Sequence, residues 1–222
     1  MQQATVRDPL PAAPVDTGQA RETRVRELGR VDYEHSWRAM QSFVATRTKA
    51  DEDELWVVEH PPVYTIGLAG HSPDLPRDLN GIPLVKTDRG GKITYHGPGQ
   101  VVIYLLLDLS RRGLSVRPLV RLMEQAVIDL LGSYGVAAEG RVDAPGVYVQ
   151  GSKVAALGLR IKNGCSYHGL AFNASMDLAP FRAIDPCGYP GLEVTQARDL
   201  GITDDATVIG AKLVRHLLER LA

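Results

Sequence analysis

The stretch Arg89-Gly-Gly-Lys-Ile-Thr-Tyr-His-Gly-Pro-Gly-Gln100 runs without a break into Val101-Val-Ile-Tyr-Leu-Leu-Leu107. An unbroken apolar run of this length, entered from a glycine-rich segment, reads as a fully buried strand, because a strand with one wet face alternates apolar and polar residues. The preceding twelve residues hold four glycines and a proline. Glycines let backbone amides approach a ligand with no side chain in the way. Arg89, Lys92, Thr94, Tyr95, His96 and Gln100 hang polar groups on the same backbone, and a simple turn has no need of them. The segment therefore reads as a ligand-binding loop delivered by a buried sheet.

Working outward, Leu84 to Thr87 reads as a strand leading into that loop. Leu55 to Val58 and Val63 to Ile66 read as short strands around Pro61-Pro62. Further upstream, Tyr33, Trp37, Met40 and Val44 recur at helical spacing. Residues 1–22, rich in Pro, Ala and charge and without periodicity, read as a flexible N-terminal tail ahead of one domain over 23–222. Downstream, Val120, Met123, Val127, Leu130 and Tyr134 form a second helical stripe. A last helix begins after Thr203 as N-cap, with Ile209, Leu213 and Leu217 on its inner face. Between these helices, Asn163-Gly164 is a strong two-residue hairpin signal flanked by Val154 to Ile161 and Ser166 to Asn173. Such a turn pairs positions whose numbers sum to 327, placing Lys153 opposite Ala174 at the open end. From there residues 174–186 are long enough to bring Cys187 back to Lys153. The fold class is thus α/β (α+β), a mixed β-sheet with packed helices.

The 222 residues suffice for one sizeable core. Lys plus Arg (25) nearly balance Asp plus Glu (26), so no global field selects nucleic acid or an anionic membrane. Arg111, Arg112, Arg117 and Arg121 form a local basic group, either for an acidic partner or simply a solvated helix face. No signal peptide or bilayer-length apolar stretch is visible, so a cytoplasmic location is expected. Cys165 and Cys187 lack paired spacing, and no disulfide is expected. Cys165 and His168 could be read as two metal ligands, but two ligands do not make a site, and no metal is expected.

Four strings resemble, in order, the signatures of the bacterial octanoyltransferases of protein lipoylation. They are the loop Arg89 to Gln100, Gly151-Ser152-Lys153-Val154-Ala155 with Leu157-Gly158, His168-Gly169-Leu170-Ala171-Phe172-Asn173, and Asp185-Pro186-Cys187-Gly188. The resemblance implies the architecture of biotin and lipoate protein ligase catalytic domains. It implies transfer of octanoyl from octanoyl-acyl carrier protein to the target lysine of apo lipoyl domains. Those acceptors are 2-oxoacid dehydrogenase E2 subunits and the glycine cleavage H protein. No cofactor is implied, because thioester to thioester is nearly isoenergetic and thioester to amide runs downhill.

By the same resemblance Cys187 is the nucleophile that carries the acyl group and Lys153 its activator. The residues agree with that assignment without compelling it. Cys187 sits in Asp185-Pro186-Cys187-Gly188-Tyr189-Pro190-Gly191, an irregular loop rather than regular core. Lys153 opens a largely apolar strand; charged, it favours a thiolate, and neutral, it accepts protons. Substrate-binding positions implied are Arg89, Gly90, Gly91, Lys92, Ile93, Thr94, Tyr95 and His96, then Ala156, Leu157 and Gly158, then Gly169, Leu170 and Ala171. His168 is expected to shape the acyl pocket or to bond the glycine-rich loop. Backbone amides of Leu157-Gly158 or of His168-Gly169-Leu170 are candidate oxyanion donors. The rivals are an ATP-dependent lipoate or biotin protein ligase and a non-catalytic acyl-binding module. Cys187 in its Pro/Gly loop argues against the first, and the Lys153/Cys187 combination against the second.

Overall fold

The structure, a computed structural model, describes residues 22–71, 75–185, 189 and 191–222. The expected tail lies outside these except for Glu22, and Cys187 also lies outside them.

The chain begins with a parallel β–α–β unit. Strand β1 (Arg24–Arg30) leads to helix α1 (Tyr33–Thr46), which returns to β2 (Glu54–Glu59) beside β1. Asp32 starts the helix by accepting a hydrogen bond from the His35 N–H. After Pro61-Pro62 the chain leaves for a small second sheet built from β3 (Val63–Ile66), β4 (Leu84–Lys86) and β5 (Ile93–His96), in the order β4-β3-β5. It then re-enters the main sheet as β6 (Gln100–Leu106). Helix α2 (Val116–Ser133) and the short strands β7 (Glu139–Gly140) and β8 (Gly146–Val149) follow. The long hairpin β9 (Ser152–Lys162) and β10 (Cys165–Asn173) comes next, and helix α3 (Ala206–Leu221) ends the chain. The main sheet has seven strands in the order β1-β2-β6-β10-β9-β8-β7, antiparallel apart from its first pair.

The period of two explains why Val101 to Leu107 is apolar throughout. Val101, Ile103, Leu105 and Leu107 pack with Leu119, Met123, Val127 and Leu130 of α2 and Ile209, Leu213 and Leu217 of α3. Val102, Tyr104 and Leu106 face the other way, with Met40 and Val44 of α1. Helices therefore cover both faces, and no position on β6 sees water.

The hairpin forms with Cys165 opposite Lys162 and Phe172 opposite Ala155, so paired numbers sum to 327 as the turn requires. Asn163 and Gly164 both take positive φ, 52° and 75°, the geometry a two-residue turn of this hand needs. The expected pairing of Lys153 with Ala174 does not occur. The ladder ends at Phe172–Ala155, and Lys153 instead bridges Val194 in parallel, its N–H bonding the Glu193 carbonyl at 2.8 Å. A returning segment has taken the edge that Ala174 would have occupied. The N-cap of α3 is Asp205 rather than Thr203; its carboxylate accepts from the Val208 N–H at 2.9 Å. No helix among the described residues is long and apolar enough to cross a membrane.

Candidate active site

Two rungs cross three neighbouring strands. Val102 of β6, Ala171 of β10 and Ala156 of β9 make one, and Tyr104, Gly169 and Gly158 make the next. Small residues at four of these six positions leave space beneath the small sheet, which crosses over them. The Gly90 N–H fixes the loop to β9 by donating to the Leu159 carbonyl at 2.8 Å. A Cβ on Gly158 would stand 3.1 Å from the Gly90 carbonyl oxygen, a tight contact that glycine avoids.

The result is a narrow slot of about 50 Å³. The glycine-rich segment contributes Arg89, Gly91, Lys92, Ile93, Thr94 and His96; the hairpin contributes Ala156, Leu157, Gly158, Gly169, Leu170 and Ala171. Three distant stretches of sequence thus meet on one cavity. Gly90 and Tyr95, expected among them, do not line it. Gly90 serves as the tie to β9. Tyr95 alternates to the opposite side of β5 and packs with Tyr64 and Phe181. Tyr33, Val102, Tyr104 and His168 complete the wall. The first three belong to no motif. Their only signal was the helical or period-two placement that makes them core residues.

Arg89 is buried and holds the loop. Its guanidinium donates to the Thr65 carbonyl at 2.6 Å, to the Thr65 hydroxyl and to the Gly90 carbonyl at 2.9 Å. Asp88, just before it, accepts from Trp37 and Gln41 of α1 and from Tyr167 and His168 of β10. Burial alone would raise the Asp88 pKa, but these hydrogen bonds hold it well below the usual carboxylate range. His168 therefore both lines the slot and anchors the loop's entrance. Its φ of 60° is rare for a residue with a side chain and marks a constrained position in β10.

Three histidines near the slot are kept neutral. Burial lowers His60, His168 and His96, the last to about 3 with the nearby His60 adding to the effect. His60 contacts the Val31 carbonyl and the Tyr104 hydroxyl, each at 2.7 Å. His96 contacts the Gln100 side-chain oxygen at 2.7 Å, and Gln100 donates onward to Asn173 at 2.9 Å. Asn173 donates to the Thr195 carbonyl, and the Thr195 N–H bonds the Lys153 carbonyl. A continuous polar chain so links the slot wall to the strand that carries Lys153.

Lys153 is only 3 % exposed. Its ammonium nitrogen lies 5.1 Å from the centroid of the Tyr148 ring and 3.5 Å from the Pro145 carbonyl. Cys187 itself is outside the described residues, but described residues C-terminal to it are tied to this region. The Tyr189 hydroxyl donates to the Asp143 carbonyl at 2.9 Å, and residues 193–195 run alongside Lys153. Cys165 is buried in the α1-side core with its thiol pushed up by that burial. Of the expected oxyanion donors, those of β10 belong to a strand with neighbours on both sides. The Leu159 carbonyl points out of the ladder to Gly90, so alternation turns the Leu157 amide the same way.

Comparison with known proteins shows the family and the fold. Residues 32–209 match the Lipoyl protein ligase A/B catalytic domain. The octanoyltransferase of Azoarcus sp. (strain BH72) is 60% identical over 197 residues, covering 89% of this chain and 87% of that one. Among solved structures, a lipoate-protein ligase A bound with ATP superposes with a TM-score of 0.75 at 19% identity, covering 90% of this chain and 85% of the other. The biotin protein ligase from Aquifex aeolicus in complex with biotin and ATP gives 0.59 at 14% identity, covering 89% and 70%. These two likenesses establish the shared fold.

Proposed function

Because the chain belongs to the octanoyltransferases, within the lipoyl protein ligase A/B catalytic family, we propose that it works through an acyl-enzyme on Cys187 served by Lys153. It is an acyltransferase acting in lipoylation. The donor in this reading is octanoyl-acyl carrier protein. The acceptors are the target lysines of apo lipoyl domains in E2 subunits and the glycine cleavage H protein. Residues 23–222 form the catalytic unit.

The observation that carries the reading is the burial of Lys153 on a strand whose neighbours line an apolar slot. A lysine is rarely buried unless its amine is paired or used. In the first half-reaction the Cys187 thiolate attacks the thioester carbonyl, forming a new carbon–sulfur bond and a tetrahedral oxyanion. The carrier's carbon–sulfur bond breaks, and its thiolate takes a proton from the Lys153 ammonium. In the second, the lipoyl-domain amine attacks the Cys187 thioester. Lys153, now neutral, accepts the amine's proton as the carbon–nitrogen bond forms, and Cys187 leaves as thiolate. The pair returns to its starting charge, and no nucleotide is consumed. The Leu157 N–H, turned away from β10, is the backbone donor assigned to the oxyanion in this reading. The slot takes the acyl tail, with the small residues Ala156, Gly158, Gly169 and Ala171 in its lining.

Intact-mass analysis after mixing with octanoyl-acyl carrier protein tests this directly. The expected result is one octanoyl adduct formed without ATP, mapped to Cys187 and discharged by an apo lipoyl domain. An adduct elsewhere, or transfer that requires ATP, overturns it.

A further inference from the structure

The strand pair that carries Lys153 contains an irregularity. Along β8 and β9, Gly146 pairs with Ala156 and Val147 with Ala155, but Tyr148 then pairs with Lys153 rather than Val154. The extra residue is Val154, buried in the main core. Without the bulge, alternation would set Val154 opposite Tyr148 and put Lys153 out of register with it. With the bulge, Tyr148 and Lys153 become direct cross-strand partners.

Several contacts around the amine hold that geometry, although the Arg141 guanidinium shares the Tyr148 ring at 4.3 Å. The Tyr148 ring is completely buried, and its hydroxyl is fixed by donation to the Ala144 carbonyl at 2.7 Å. The Lys153 nitrogen lies 5.1 Å from the ring centroid, inside the range of a cation–π contact. Gly146 leaves the space the lysine stem needs: a Cβ there would sit 3.0 Å from Lys153 Cε and 3.3 Å from Nζ. The same short segment receives the hydroxyl of Tyr189, two residues past Cys187 in sequence, at the Asp143 carbonyl.

We infer that Tyr148 is a positioning residue for Lys153, its ring fixing the amine in one place for the proton exchanges proposed above. The inference rests on the catalytic reading of Lys153 given above. A buried tyrosine could instead serve only as core filling, and the aromatic ring separates the two roles. Filling needs volume, whereas positioning an amine needs a π-face.

The test compares Tyr148→Phe with Tyr148→Leu, both checked for parental folding. The Phe variant keeps the ring and should retain most of the turnover. The Leu variant should lose about tenfold or more in kcat with KM little changed, as expected when a cation–π anchor is removed from a buried amine. Its Lys153 should also titrate at lower pH, followed by NMR of 13C-lysine with the resonance assigned from Lys153→Arg. The unsubstituted protein supplies an independent measurement: the Lys153 Cε–H resonances should carry an upfield ring-current shift. A folded Leu variant with parental kcat and titration overturns the inference, as does the absence of that shift in the unsubstituted protein. The catalytic reading fails separately, if Lys153→Ala turns over at the parental rate.

Discussion

At 3 % exposure, Lys153 has given up most of its hydration, and its neighbours must make up the difference. Burial disfavours the ammonium, and a thiolate beside it favours it. If Lys153 serves Cys187, Lys153→Ala should slow acylation of the cysteine because the thiol returns toward its ordinary pKa of about 8.5. It should also slow discharge to the lipoyl domain by roughly a hundredfold or more, since the attacking amine loses its proton acceptor. Raising the pH should restore acylation in the variant more than in the parent. Iodoacetamide alkylation of Cys187 followed against pH reads this, and identical profiles would confine Lys153 to the acceptor step. Cys165 offers an internal control. It is buried, with Sγ directed at the Asn163 carbonyl, and burial pushes its thiol up. Cys165→Ala should therefore keep most of the transfer while Cys187→Ala abolishes it. Equal losses in two folded variants would remove Cys187 as nucleophile.

Among the elements, the ends of helices show where reading from sequence succeeded and where it stopped short. Thr203 and Asp205 are both good N-cap residues, and the sequence reading named only the first. The structure uses Asp205, whose carboxylate also suits the positive end of the helix. Asp205→Ala should cost about 1 kcal/mol and Thr203→Ala much less, measured by urea unfolding. Equal costs would mean the cap is shared. The hairpin was legible because Asn163-Gly164 encodes a turn geometry in two residues, and the pairing follows arithmetically. Strand β1 was not, because Arg-Val-Arg-Glu-Leu-Gly-Arg has no useful alternation and a mostly exposed edge. Its place comes from pairing with β2, a tertiary fact. The slot was legible where glycines and polar groups crowd together. Tyr95 does not line the slot, because a motif gives adjacency along the chain while a strand sends adjacent side chains to opposite faces. The bulge at Val154 has no signature of its own, so the contact of Lys153 with Tyr148 appears only in three dimensions.

The molecule as a whole keeps a set of neutral histidines between its two sheets, and this makes its stability depend on pH in a direction that can be worked out. His60, His96 and His168 are buried, with burial the largest cause of their lowered pKa values, and His96 falls to about 3. In the unfolded chain each returns to about 6.5. Above that value both states leave them neutral, and their contribution to stability is complete. As the pH falls below it, the unfolded chain takes up protons that the folded protein refuses. Each histidine then removes up to about 1.4 kcal/mol per pH unit until its folded pKa is reached. Asp88 does not add to the slope in this window. Its folded pKa lies below the usual carboxylate range, so its stabilisation is present above about pH 4 and is lost only as the pH falls further. The urea midpoint should accordingly be flat near pH 7.5 and fall steeply from 6.5 to 4.5. His96→Gln removes one of the three titrations, so it should lower stability at pH 7.5, where the contact with Gln100 is altered, yet flatten the slope by about one proton. Parallel pH profiles for the variant and the parent would show that His96 does not titrate on unfolding, and that another group sets the acid limit of the fold.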